Sequence, residues 1–355
     1  MTLALGSGGA RGYAHIGIIE ALHKRGWEIT GVAGTSMGAM IGGLLAADQL
    51  DPYADWVRSL TQRDVLRLLD PSLRTPGALR GEKIMAEVRR LIGNTRIEDL
   101  RIPYTSVAID LVTHREVWFQ RGPLDSAIRA SIALPTVFTP VVLDGRILVD
   151  GGMLNPVPMA PLSALPSDLT IAVDLSGASR RESPRSLGRS PVEAASADAL
   201  SSDVADALGA AVSERAALDA ATGEGVPRRA AVRVSDWREQ VQRRMEELRE
   251  TEAVRKVAGW FEKPEDPETV AAAAAEPVET GFGELPPGLG YRDVMTMTYE
   301  AMQDVIARYR EASYPADLTI RVPRDSAHTL EFHRGTELIA LGRQLAEEAL
   351  ADAGY

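Results

Sequence analysis

A three-layer α/β/α fold with a largely parallel central sheet is the architecture this sequence predicts, and three observations carry the prediction. The chain opens on a short apolar strand that runs into a glycine-rich loop and then a helix. A second apolar strand turns sharply through Gly34-Thr35-Ser36-Met37-Gly38 into a helix of small residues. Beyond it, apolar strands keep alternating with segments of helical periodicity, the pattern of a sheet covered by helices.

The elements follow in order. Thr2 to Leu5 is the first strand, Gly6-Ser7-Gly8-Gly9-Ala10-Arg11-Gly12 the loop, and His15 to Lys24 the helix. A row of backbone amides at a helix N-terminus favours an oxyanion or a phosphate. Ile29 to Ala33 forms the second strand and Ala39 to Ala47 the second helix, so that Ser36 is expected at a nucleophile elbow, presented to solvent. Gly34 and Gly38 remove the Cβ atoms that such a turn would crowd. Ile102 to Leu111 and Arg115 to Phe119 read as a hairpin around Thr113-His114. A second hairpin, Val141 to Val149 with its turn at Asp144-Gly145, ends in Asp150-Gly151-Gly152. An acid at the end of an apolar strand, followed by two residues that permit close backbone approach, is placed to meet a nucleophile. Leu169 to Leu175 adds a strand. After the region 177–290, Tyr291 to Arg310 reads as a helix, Asp317 to Val322 as a strand and Glu331 to Leu350 as the closing helix.

Two nucleotide-binding readings of the glycine loop fail on its residues. Counted from Gly6, a dinucleotide fingerprint would require glycine where Arg11 stands, and the second strand ends in Gly34-Thr35-Ser36, without an acidic ribose ligand. No Gly-Lys-Ser/Thr ending follows, which excludes a P-loop.

With the glycine loop, the Gly-x-Ser-x-Gly elbow and the Asp-Gly-Gly motif in this order, the chain resembles the patatin-like phospholipases, in particular the bacterial ones. Ala130-Ser131-Ile132-Ala133-Leu134-Pro135, with Phe138 and Pro140, is similar to the helix and turn that precede the Asp motif in that family. The resemblance covers residues 1 to about 176 and extends to the closing helix, strand and helix at 291–355. It departs at Ser7, which stands where the family usually begins a glycine triplet. The resemblance implies acyl transfer by a Ser-Asp dyad without histidine. Ser36 attacks an ester carbonyl, and the amides around Gly8, Gly9 and Ala10, in the loop that Arg11 and Gly12 complete, hold the oxyanion. Asp150 takes and returns the proton, with Gly151 and Gly152 beside it. An aspartate needs desolvation to act as a base near neutral pH, and Ile147-Leu148-Val149 offers a dry setting. A conventional triad is the rival, since His328 and His333 follow Asp150 in the chain.

A chain of 355 residues with 45% hydrophobic residues can bury a large core. Zero cysteines exclude disulfides and thiol catalysis, and five histidines in no zinc-like spacing make no metal or other cofactor expected. The N-terminus lacks the pattern of a signal peptide, and the uncharged stretch Ile29 to Ala47 is broken by glycines, so the expectation is a cytoplasmic protein, peripheral at most. A net charge of −11 argues against nucleic acid and gives no attraction to anionic bilayers. Membrane contact would have to be transient and local, with Arg11 and the stretch Pro71 to Arg80 as candidates.

The region 177–290 breaks the pattern. Ser176 to Pro191 reads as a Ser, Arg and Pro-rich linker, Ala194 to Ala221 and Trp237 to Phe261 as helices, and Glu262 to Gly290 as a disordered acidic tether. As an insertion it could serve as lid, spacer or partner-binding arm. Three functions follow: a hydrolase of phospholipid or lysophospholipid acyl esters, a soluble esterase or thioesterase, and a regulatory protein that binds a protein partner through 177–290.

Overall fold

The computed structural model describes residues 1–68, 79–135, 137–178 and 291–355, the side chains of 291–293 apart. The helices expected at 194–221 and 237–261, the linker beyond residue 178 and the acidic tether lie outside the described residues. In chain order the strands are Thr2–Leu5 (β1), Gly31–Thr35 (β2), Tyr104–Asp110 (β3), Arg115–Phe119 (β4), Val141–Leu143 (β5), Arg146–Asp150 (β6), Thr170–Gly177 (β7) and Leu318–Pro323 (β8). The helices are Ala14–Lys24 (α1), Met37–Ala46 (α2), Leu50–Ser59 (α3), Gln62–Leu68 (α4), Glu82–Ile92 (α5), Leu124–Ser131 (α6), Tyr291–Ser313 (α7) and Gly335–Asp352 (α8).

The strands form one sheet whose hydrogen-bonded neighbours follow the path β5-β6-β3-β2-β1-β7-β8, and β4 pairs with β3 as well. The run β3-β2-β1-β7-β8 is parallel throughout, β4 and β6 pair antiparallel with β3, and β5 pairs antiparallel with β6. Side chains alternate between its faces. Leu3, Leu5, Val32, Ile171, Val173, Ile320 and Val322 enter the main core, which also takes in buried residues of α1, α2, α3, α5, α6 and α8. Ala4, Ala33 and Ala172 point the other way, into a small cluster with Met159 and Leu162. Helix α7 belongs to this second face: its Glu311 accepts hydrogen bonds from Thr319 and Arg321, which alternate with the core-facing Ile320 and Val322.

The closing helix is keyed to the first one by bare backbone. A Cβ on Gly17 would stand 1.8 Å from the Ile339 carbonyl oxygen, and one on Gly342 would stand 2.0 Å from that of Ala14. Such a crossing forfeits side-chain area for close approach.

Several boundaries move. Gly9–Tyr13 forms a 3-10 turn that leads directly into α1, and β2 is displaced two residues toward the C-terminus, bringing Thr35 into the sheet. β7 runs on to Gly177, and α8 starts at Gly335 after a 3-10 turn at Phe332–Arg334. Helices α3, α4 and α5 go beyond what the sequence predicts. The stripes of α3 and α5 are narrow, Leu50, Tyr53, Ala54 and Val57 in one and Met85, Val88 and Ile92 in the other, on otherwise charged helices. The hairpin turn holds as expected, with positive φ at both Asp144 (49°) and Gly145 (75°). Among the described residues no helix is long and apolar enough to cross a membrane.

Candidate active site

Ser36 stands between β2 and α2 with φ 56° and ψ −121°. A non-glycine residue there carries strain of about 1–3 kcal/mol, which the surroundings must hold. They do so by packing backbone on backbone. A Cβ on Gly34 would fall 2.2 Å from the Gly38 carbonyl oxygen, and one on Gly38 would fall 2.0 Å from that of Leu5. Only glycines let the turn sit this tightly on β1.

Strand β3 brings the distant acid to this turn. It pairs with β2 through Tyr104–Val107 and with β6 through Ala108–Asp110, while β4 pairs along Ser106–Asp110. A residue that already faces β4 on one edge can offer β2 or β6 only the other, so β2 and β6 lie end to end along a single edge. Thr35 sits opposite Val107 and Asp150 opposite Ala108. The C-terminal ends of the two strands therefore meet, one carrying Ser36 and the other Asp150.

Residues 131–133, at the end of α6 and just beyond it, brace this junction. The Ser36 N–H donates to Ser131 Oγ at 2.8 Å, and the Ser131 hydroxyl donates to the Val107 carbonyl at 2.6 Å. One buried side chain thus replaces the ladder bond that is missing where β2 stops. The Asp150 N–H donates to the Ala133 carbonyl at 3.0 Å. Ser131→Ala leaves two buried backbone groups without a partner, so a loss of about 1–3 kcal/mol is expected in urea unfolding. Labelling of Ser36 by an active-site probe should slow with it.

The Asp150 carboxyl is buried and accepts the Gly152 N–H at 2.7 Å. Burial pushes it up to about 6, against the opposing pull of the Ser36 hydroxyl and the Gly152 N–H, both of which favour the carboxylate. Neither His328 nor His333 is among the groups acting on it. The backbone N–H of His328 donates to the Glu331 carboxylate.

The glycine loop lies over the elbow. The N–H groups of Gly6, Ser7 and Ala10 donate to the carbonyls of Val173, Pro156 and Thr329. The Ala10 amide is thereby engaged, which narrows the expected oxyanion donors to Gly8 and Gly9. His15 supports the loop from α1: buried, and lowered to about 4 by that burial, it is neutral and donates from Nε2 to the Gly6 carbonyl at 2.9 Å. Gly12 faces Met37 so closely that a Cβ would stand 2.3 Å from that side chain.

Two expectations are corrected here. Ser36 is only 7% exposed and lines a cavity of about 50 Å³ instead of standing free at the surface, because helices and loops beyond the sequence motifs pack around it. Met37, Met40, Trp56, Val65, Phe138 and Phe332 are among the apolar side chains lining that cavity, as is Gly9 of the loop. Phe332 is braced edge-on by Tyr13 at 5.8 Å between ring centres. Arg11 is buried and offers nothing to a membrane. Its guanidinium donates to the carbonyls of Gly8 (3.2 Å) and Arg324 (3.1 Å) and pairs with Glu300 at 2.8 Å. Residues 71–78 of the other membrane candidate lie outside the described residues. Among those residues no cluster of three His, Asp or Glu side chains suits a metal ion.

Comparison with known proteins agrees with this geometry. Residues 3–163 match the family described as patatin-like phospholipase. Uncharacterized NTE family proteins of Mycobacterium tuberculosis and Mycobacterium bovis are 46% identical over 352 residues, 99% of this chain and 91% of theirs. Human patatin-like phospholipase domain-containing protein 6 is 32% identical over 183 residues, 49% of this chain and 13% of that one. An elbow serine and a strand-end aspartate on one edge of β3, and 46% identity to the mycobacterial proteins over nearly the whole chain, lead to one conclusion: the chain belongs to the patatin-like phospholipase family.

Proposed function

We propose that the protein cleaves acyl esters of phospholipids or lysophospholipids, with Ser36 as nucleophile and Asp150 as its base. Family membership implies a hydrolase that works on lipid or acyl esters through a serine and an aspartate. The observation that supports the finer reading is the cavity: apolar side chains make up most of its lining, and Ser36 is part of its wall. An acyl chain lying there would bring its carbonyl to Ser36. Met37 and Met40, both flexible thioethers, can turn aside to widen the passage.

In this reading Ser36 Oγ attacks the carbonyl carbon and its proton passes to the Asp150 carboxylate. The charge that develops on the carbonyl oxygen is met by the Gly8 and Gly9 N–H groups. Collapse expels the alcohol, which takes the proton from Asp150. Water then attacks the acyl-enzyme, again with Asp150 as base, and the fatty acid leaves. A carboxyl near 6 is a stronger base than an exposed aspartate and is still mostly ionised at pH 7.

A fluorophosphonate probe followed by peptide mapping is expected to mark Ser36. Turnover should be greater on lysophospholipid and phospholipid vesicles than on short nitrophenyl esters. Labelling together with a preference for the short esters would favour a soluble esterase or thioesterase. Absence of labelling would favour a regulatory protein acting through residues 177–290.

A further inference from the structure

Helix α7 lies far outside the glycine loop, elbow and Asp motif, yet it packs on the turn that follows Asp150. Its Gln303 donates from Nε2 to Ser7 Oγ at 3.0 Å and to Tyr299 Oη at 3.2 Å. These groups converge over Gly152. A Cβ added there would stand 2.3 Å from Gln303 Nε2, 2.7 Å from Ser7 Oγ and 3.0 Å from Asp150 Oδ1. Gly152 is thus a glycine because the Gln303 amide and the Ser7 hydroxyl occupy the space above it, and its own N–H holds the Asp150 carboxylate from below.

We propose that Tyr299 and Gln303, locked to the glycine loop through Ser7, are positioning residues that roof the Asp150–Gly152 turn and keep water off the carboxyl. The proposal rests on the reading of Asp150 as the base, and it accounts for Ser7, which the family resemblance leaves unexplained. With both amide hydrogens of Gln303 given to hydroxyl oxygens, the two hydroxyls are fixed in place relative to each other. Tyr299 is largely buried, and burial, followed by the charge of Asp150, pushes its phenol well above the usual range, so it stays neutral. Among the described residues the charged groups of α7 are paired, and two of these pairs reach the glycine loop and β4. Glu300 holds Arg11, and Arg310 pairs with Glu116, which also accepts from Asn155 and Trp118. The polar groups that act on Asp150 are Ser36 from the elbow and Gly152 from its own turn, and Tyr299 from α7 is the titratable group that senses it in return.

The test is an NMR titration of the Asp150 carboxyl carbon in protein labelled with ¹³C-aspartate and assigned by Asp150→Asn, which needs no turnover. Tyr299→Ala and Gln303→Ala are each expected to lower the midpoint by about one pH unit. Tyr299→Phe, which keeps the aromatic bulk, should retain it. The acid limb of the pH–rate profile should move with the same variants. Unchanged midpoints in both alanine variants overturn the roof. Should Tyr299→Ala not fold, Gln303→Ala and Ser7→Gly decide, and wild-type midpoints in both reject the proposal. Fluorophosphonate labelling of the wild type runs beside the titration. No label at Ser36 with a shift in the variants removes the hydrolase reading and supports the roof; a label without the shift removes the roof alone.

Discussion

Asp150→Asn is expected to abolish turnover and, at pH 7, to stabilise the fold by about 2–3 kcal/mol. The carboxyl titrates near 6 in the folded protein and at about 3.9 in an unfolded chain. Between those values the folded state binds more protons than the unfolded one, so stability declines as pH rises from about 4 to 6 and is level above. The level part carries the full cost of a buried carboxylate, about 1.4 kcal/mol for each pH unit between the two midpoints. An asparagine keeps the oxygen that accepts the Gly152 N–H and is never charged. Urea unfolding at pH 7 should therefore find the variant more stable than wild type, with the difference fading toward pH 4. Equal stability at both pH values would mean that Asp150 is hydrated and the proposed base ordinary.

Ser36→Ala carries the second large effect, a loss in kcat of about 10⁴-fold or more. In the wild type, kcat/KM should climb with pH and level off, with its midpoint near 6. An imidazole base would titrate in the same range, so that limb alone does not separate a dyad from a triad. His328→Ala and His333→Ala do separate them. Both should keep the wild-type profile, because Asp150 is acted on by Ser36 and Gly152 and by neither histidine. Loss of turnover in either variant would restore the triad.

The parts of the site legible in the sequence are those imposed by local backbone geometry. The Gly34–Gly38 turn, the glycine loop after β1 and the Asp150-Gly151-Gly152 corner each solve a steric problem within a few residues, and each leaves its solution as glycines. The positive φ of Asp144 and Gly145 was legible for the same reason. What stayed hidden depends on contacts across the chain. Ser131 looks like any residue near a helix end until its hydroxyl is seen joining Ser36 to Val107. Gln303 and Tyr299 lie on a helix whose apolar periodicity says nothing about Ser7. Arg11 reads as a surface cation because its partners, Glu300 and the Arg324 carbonyl, come from the other end of the chain. Burial of Ser36 was equally out of view, since part of its cover comes from α4, which the sequence does not announce, and from Phe332 near the far end of the chain.

The end-to-end meeting of β2 and β6 makes β3 a ruler for the chemistry. Neither strand touches the other through a ladder, so their spacing is set by counting residues on a third, Val107 for one and Ala108 for the other. Inserting a single residue between these two adjacent pairings would shift one partner by about 3.3 Å and turn its side chains to the opposite face. The loop between β3 and β4 lies outside this spacing, whereas a change in the number of residues across the two pairings on β3 would reset it.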